Sequence, residues 1–318
     1  MKVLNRINSM EDKGVIAAFL VLFITATVMF EPFFSLLNIM NILRQVSMIG
    51  IVAIGMTFVI LIKGIDLSVG ALVAVSGVLS AYFAGRSMVL AILLPLLLGA
   101  LLGAINGIII ARYRIVPFIA TFAMMIGARG ASYIATDTKS IAVPMTAKAY
   151  SKIGRGYAGL VPVPVIIFFL LLFIAYYILK NTSFGRKVYA LGSNEEASLM
   201  MGIKVNRVKI AVYSISGLMC GAAGVILTSR LGAGQPVAGM GWEIQAIAAT
   251  AIGGTLLSGG VGGVKGTFFG VLILGMITNM INLQGSLNSW WQGIITGVLL
   301  LIAIIVQAQE GRRIVSLS

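Results

Sequence analysis

Two acids, Asp66 and Glu243, lie in or beside long apolar runs where a membrane would surround them. An ionisable group at that depth is costly to keep from water, so each is a candidate for contact with a transported solute. Each also opens an apolar run, where a carboxylate can accept from the free amides of a helix start and meet the positive end of its dipole. The sequence leaves capping and translocation both open. Neutral groups extend the candidate set: Asn106, Gln235, Trp242, Gln245, Asn279 and Asn282, with Trp290 and Trp291, could bond hydroxyls or stack on a sugar ring. The same residue types serve equally well as caps or interface anchors. Histidine is absent, which removes the commonest general base, metal ligand and proton relay. The single cysteine, Cys220, lies in an apolar segment and can form neither an intrachain disulfide nor a metal cluster. No catalytic group and no metal site is expected, and an enzyme is a poor fit.

A second kind of chemistry is adhesive. Leu191 to Lys209 is the one long run in which polarity outweighs the apolar background. Asn194 can cap a helix, Glu195 and Glu196 suit its first turn, and Gly202 can end it. The helix would continue through Ala197, Ser198, Leu199, Met200 and Met201, with Ile203 just beyond. Two turns do not recover the cost of helix nucleation alone in water, so something must pack against them. The run reads either as a capped turn between spans or as a docking helix that presents adaptable Met side chains to a partner.

The glycine-rich run Ser258 to Gly266 is not a phosphate loop, because Val264 precedes Lys265 and Gly266 follows it, where Gly-Lys followed by Ser or Thr is required. It reads as a flexible turn. With no nucleotide site visible, the energy for pumping has to come from a partner or an ion gradient.

The elements that must position these groups are membrane helices. The chain is 59% hydrophobic and 10% charged, against about 25% charged for a soluble globule. Its mean hydropathy is +1.05. The net charge of +14 is scattered in short clusters rather than a stripe, which argues against nucleic acid and for a membrane surface. The fold expected is an all-α polytopic membrane protein, one permease domain over residues 1–318 with about ten transmembrane helices. The spans begin near residues 14, 46, 67, 87, 115, 161, 210 and 243, and the uncharged stretch 266–309 is split in two by Asn279, Asn282, Gln284, Gly285, Ser286, Asn288 and Ser289. Residues 135–160 form an aqueous outer loop with one short helix. If both termini are cytoplasmic, fifteen of the 23 Lys and Arg lie inside, among them Lys63, Lys180, Arg186, Lys187, Lys204, Arg207, Lys209 and Lys265. Asp66 and Glu243 open spans that run in opposite directions, which fits two halves of inverted topology. Glycines four apart, at 99, 103 and 107, at 217 and 221, at 266 and 270, and at 293 and 297, suit close helix packing within the bundle.

Several stretches together resemble one family, the permeases of ribose-type ABC importers for monosaccharides. They are Gly64-Ile65-Asp66-Leu67-Ser68-Val69-Gly70, Pro117-Phe118-Ile119-Ala120-Thr121, Ala190-Leu191-Gly192-Ser193-Asn194-Glu195-Glu196-Ala197, Gln235-Pro236-Val237-Ala238-Gly239, Ala246-Ile247-Ala248-Ala249 and Ile252-Gly253-Gly254-Thr255. Ile62-Lys63 stands before Gly64, where the family commonly has smaller or neutral residues. The resemblance runs from about Asn38 to Val306. It implies a pore made with a second permease copy or a paralogue, in the inner membrane of a bacterium. An ATPase subunit that holds the ATP and Mg would lie below, and an extracytoplasmic sugar-binding protein outside. It also implies that residues 194–203 are the cytoplasmic helix on which the ATPase acts. A nucleoside, a polyol or a signalling furanose is an alternative cargo, and a secondary transporter an alternative class.

Overall fold

The computed structural model describes the backbone of residues 2–285, 288 and 290–315, and the side chains of 13–285, 288 and 290–307. Ser286 and Ser289, two of the polar residues expected to divide the last two spans, lie outside the described residues. The fold is an all-α bundle. In chain order its long helices are α1 (Lys2–Met29), α2 (Leu36–Leu61), α3 (Val69–Ala84), α4 (Met88–Tyr113) and α5 (Pro117–Thr136). A short α6 (Lys148–Arg155) precedes α7 (Val163–Asn181), α8 (Ser183–Ser193), α9 (Glu195–Met200) and α10 (Val205–Leu231), and α11 (Trp242–Ile252), α12 (Val264–Gln284) and α13 (Trp290–Val315) complete it. Seven of these are long and apolar enough to cross a membrane: α2, α4, α5, α7, α10, α12 and the Trp290–Gln307 part of α13. Shorter apolar helices are Lys13–Met29 of α1, and α3.

Each of the ten apolar runs in the sequence becomes a helix, but the eighth is only half a crossing. At about 1.5 Å per residue α11 covers roughly 16 Å and α3 roughly 24 Å, against a hydrocarbon core of about 30 Å. The sequence extends the eighth span to about Leu256, and the structure stops it at Ile252 because Gly254 turns left-handed at φ +80°. Irregular backbone at this depth is tolerated where protein surrounds it. It is surrounded here: α4, α5 and α10 pack around α3, and α2, α12 and α13 around α11.

Burial follows this layout. α2 is buried from Met48 to Leu61 apart from Ile49, whereas the described part of α13 is exposed or half-exposed throughout. Ser35 caps α2 by accepting from the Asn38 amide at 3.3 Å. α4 and α10 meet along a glycine seam. A side chain at Gly99 would strike the Gly217 carbonyl, one at Gly103 the Tyr213 carbonyl, and one at Gly107 the Ile210 Cα. Gly266 and Gly270 do the same for α12 against Gly253 and Ala249, while Gly293 and Gly297 face open space. The first three sets of spaced glycines thus serve packing within the chain.

The 135–160 segment is ordered over one end of the bundle. Strand β1 (Ile141–Ala142) pairs with β4 (Ala233–Gly234), and β2 (Tyr157–Ala158) with β3 (Val161–Pro162). Buried Tyr150 of α6 pins the segment down. Its hydroxyl lies 2.6 Å from Ser80 Oγ and donates to the Val225 carbonyl at 3.1 Å, and Ser229 donates to the Tyr150 carbonyl at 2.6 Å. Burial pushes the phenol up to about 12.

Two outcomes follow from this packing. Gly103→Leu forces α4 from α10 and should abolish monodisperse protein in detergent chromatography. The Tyr150 phenol titrates higher folded than unfolded, so its contribution is complete below about pH 10 and is lost as pH rises toward 12. A melting-temperature series from pH 8 to 12 should therefore fall more steeply for wild type than for Tyr150→Phe.

Candidate functional site

Asp66 occupies the break between α2 and α3 and is fully buried. Its Oδ1 accepts from the Ser68 amide at 3.0 Å and the Ser68 hydroxyl at 2.6 Å, and its Oδ2 accepts from Ser216 Oγ of α10 at 2.9 Å. Asn106 of α4 donates to Ser68 Oγ at 3.0 Å, and its own Oδ1 is buried without a partner. The carboxylate thus joins three helices through short hydroxyl bridges. Around it the break is held by Thr121, which receives the Leu67 amide at 3.1 Å, and by Tyr213, whose hydroxyl donates to the Ile65 carbonyl at 3.4 Å. Gly55 lets α10 approach at Ser216, since a side chain there would meet the Ser216 Cα at 2.9 Å. Among the described residues the salt bridges are Lys139–Asp137 and Lys209–Glu195, so no cation neutralises Asp66 by direct contact.

Glu243 sits where the first turns of α3 and α11 cross. A side chain at Gly70 would strike the Gly239 carbonyl and come within 2.8 Å of Glu243 Oε2. Two helix N-termini therefore converge beside one carboxylate, the arrangement in which their dipoles favour negative charge. Arg129 of α5 reaches the same loop and donates from Nη1 to the Pro236 and Ala238 carbonyls, each at 2.7 Å. Gln235 precedes that clasp, and Trp242 and Gln245 lie half-buried in the first turn of α11. Asn279 pairs reciprocally with Asn38 at 2.8 and 3.1 Å, and exposed Asn282 accepts from Gln292 at 3.4 Å. The eight candidate residues thus fall into four places: the Asp66–Asn106 cluster, the α3–α11 crossing, the Asn38 pair and the end of α12.

The polar stretch forms an elbow at the other end of α10. Asn194 Oδ1 accepts from the Ala197 amide at 3.0 Å, and Ser198, which is buried, donates to the Asn194 carbonyl at 2.8 Å. The helix stops in a Schellman pair: the Gly202 amide bonds Leu199 O at 2.9 Å and the Ile203 amide bonds Ser198 O at 3.1 Å, with Gly202 at φ +76°. Lys209 clamps Glu195 through both oxygens at 2.7 and 2.9 Å. Leu199, Met200 and Met201 are left 55%, 90% and 66% exposed, with Glu196 and Ala197 exposed beside them.

The elbow is seated on the glycine-rich turn. The Gly260 amide bonds Leu61 O at 2.9 Å, Tyr189 donates to Gly262 O at 2.9 Å, and Lys63 Nζ reaches Ser193 O at 3.3 Å. A side chain at Gly192 would strike the Leu61 carbonyl and the Gly260 backbone. Gly259, Gly260 and Gly262 are all left-handed. The run expected to be a flexible turn is therefore a packed seat. Lys63, in the position where the resemblance leads one to expect a smaller residue, is itself left-handed at φ +61° and spends its side chain on α8.

A multi-pass helical membrane protein, with a buried polar joint and a separate elbow presenting apolar side chains, has the build of a transport permease. The chain belongs to the permease family described as branched-chain amino acid transport system / permease component, whose model matches residues 38–304. It is 46% identical over 303 residues to the ribose import permease protein RbsC of Bacillus subtilis strain 168, covering 95% of this chain and 94% of that one. It is 42% identical over 305 residues to the ribose import permease protein RbsC of Escherichia coli K12, with the same two shares. It is 36% identical over 294 residues to the L-arabinose ABC transporter permease protein AraH of Azospirillum brasilense, covering 92% and 86%. No solved structure matches the chain.

Ser68, Ser216 and Thr121, which complete the Asp66 cluster, are single hydroxyls in apolar runs, and only the fold shows that they converge. Asp66→Leu leaves the Ser68 amide and two hydroxyls unpaired at membrane depth, each costing about 1–3 kcal/mol. It should melt far below wild type, whereas Asp66→Asn keeps one acceptor, places a donor toward Ser216 and should stay folded; thermal melts in one detergent compare them.

Proposed function

We propose that this chain is the membrane subunit of an ATP-driven importer that passes a monosaccharide, with ribose the first choice, from an extracytoplasmic binding protein to the cytoplasm. The observation that carries this reading is the near-full-length similarity to ribose import permeases, together with an elbow that offers three apolar side chains to a partner. A separate ATPase subunit binds the ATP and Mg and does the hydrolysis. A second permease copy or a paralogue completes the pore in a bacterial inner membrane.

Residues 194–203 are the docking helix in this reading, and residues 135–160 face the binding protein. Both termini are cytoplasmic, because the elbow, Lys63, Lys180, Lys204 and Lys265 share the basic end of the bundle. Ten membrane-embedded segments form two inverted halves, α2 to α5 and α10 to α13. The packing has the matching pattern: α3 lies on α4, α5 and α10, and α11 lies on α12, α13 and α2. Force on the elbow reaches the end of α2 through Leu61 and the start of α10 through the Glu195–Lys209 clamp. The Asp66 joint then couples both to α3 and α4, so that alternating access is driven by contacts that differ between the ATPase states. Asp66, Asn106, Gln235, Trp242, Glu243, Gln245, Asn279 and Asn282 are the side chains proposed along or beside the sugar path.

The test is uptake by cells that lack their own ribose permease and express this chain with its ATPase and binding protein. Ribose should accumulate, ahead of arabinose, nucleosides, polyols and leucine. Ala197→Arg and Leu199→Asp should each reduce uptake to background while the protein still inserts and dimerises. Normal uptake in both variants removes the docking assignment, and uptake collapsed by a protonophore alone without the ATPase favours a secondary transporter.

A further inference from the structure

An apolar groove of about 520 Å³ opens between α1, α7 and α12, next to the glycine-rich seat of the elbow and lined by none of the Asp66 cluster. Its walls include Ile16, Leu172, Phe173, Phe268 and Phe269, and its rim carries Tyr176 and Lys265. The rim is more basic than the groove needs for burial. Lys180 Nζ donates to the Tyr176 hydroxyl at 2.8 Å, and Lys265 Nζ stands 4.8 Å from the centre of the same ring. Two ammonium groups sharing one neutral phenol repel each other unless an anion lies between them. Neither forms a salt bridge among the described residues, whose acids pair only at Asp137 and Glu195. Because its oxygen accepts from Lys180, the Tyr176 hydroxyl still has its hydrogen to donate.

We propose that this groove holds one anionic phospholipid of the bilayer. An acyl chain lies against Phe173, Phe268 and Phe269, and the headgroup phosphate is bound by Lys180, Lys265 and the Tyr176 hydroxyl. The chemistry on each side matches: a slot lined by aliphatic and aromatic carbon for the tail, and at its mouth two cations and a hydroxyl donor for a phosphate. Basic pockets between membrane helices are suited to acidic headgroups in this way. The lipid would bridge α7 and α12, and α12 packs on α11 and α2. Occupancy would therefore brace the side of the bundle behind the half-helix α11.

The test is native mass spectrometry of the full chain in mild detergent, titrated with phosphatidylglycerol or with phosphatidylcholine of identical acyl chains. Wild type should retain one phosphatidylglycerol per chain with about tenfold or greater preference over phosphatidylcholine. Lys180→Gln with Lys265→Gln should lose that preference, and Lys180→Arg with Lys265→Arg should keep it. Lys148→Gln with Lys152→Gln, at the far end of the bundle, should also keep it. Because the altered side chains are exposed, chromatographic profiles should match wild type. Equal retention of the two lipids by wild type, retention of neither, or an undiminished preference in the Gln pair each overturns the proposal. Retention of neither would leave the groove to a protein segment.

Discussion

The structure turns on a carboxylate that has been taken out of water without a cation in direct contact. Such a group is tolerable only where hydrogen bonds take up its lone pairs. Asp66 meets that condition with donors from two elements, Ser68 on its own break and Ser216 on α10, and Asn106 of α4 braces Ser68. None of these donors can leave without stranding another polar group at membrane depth, which fixes the relative height of α3, α4 and α10. The glycine seam between α4 and α10 serves the same end, because the hydroxyl bridge from Ser216 is only long enough if the two backbones around it are close.

A joint of this kind also explains why the half-helices exist. α2 cannot run straight into α3, since the break must supply both the Asp66 side chain and the turn that carries it. The left-handed Lys63 and the unobstructed approach of Gly64 to Tyr213 provide that turn. Against the start of α3, α11 begins from the equivalent kind of break, with Arg129 clasping two carbonyls of the loop that precedes it. The result is that two helix N-termini meet inside the protein, beside Glu243 and the half-buried Trp242 and Gln245. In the proposed function this is a place for a neutral polyhydroxy solute, whose hydroxyls would exchange for amide dipoles and side-chain amides.

Much of this was legible in the order of the residues, and the misses have a common cause. Apolar runs marked every long helix, although α2 begins at Leu36 and continues through Arg44 where the sequence opens the span near residue 46, and Asn194 with Gly202 marked both ends of α9, because capping is local chemistry. The length of α11 was misjudged, since Leu256 reads as apolar continuation while Gly254 in fact reverses the chain. The glycine-rich turn looked flexible for the same reason: what holds it, the Leu61 carbonyl and Tyr189, lies far away in sequence. Ser216 is 150 residues from Asp66. A lone serine in an apolar span gives no sign of which distant group it will meet, so the partners of Asp66 and the path of Arg129 needed the fold. The resemblance to ribose-type permeases supplied what physics alone left open at the elbow, a reason for Leu199, Met200 and Met201 to be exposed.

The central claim is that the exposed face of α9 is the surface through which an ATPase drives the bundle. It is tested most directly by placing one reporter there, Met200→Cys in a Cys220→Ser background, and measuring its reaction with a membrane-impermeant maleimide in inside-out vesicles. Met200 is 90% exposed, so labelling should be fast in vesicles that hold the permease alone. With the ATPase subunit co-expressed, the account predicts labelling slowed several-fold at position 200 and unchanged at a control cysteine, Lys180→Cys, exposed at the basic end of α7. Equal labelling with and without the ATPase would contradict it.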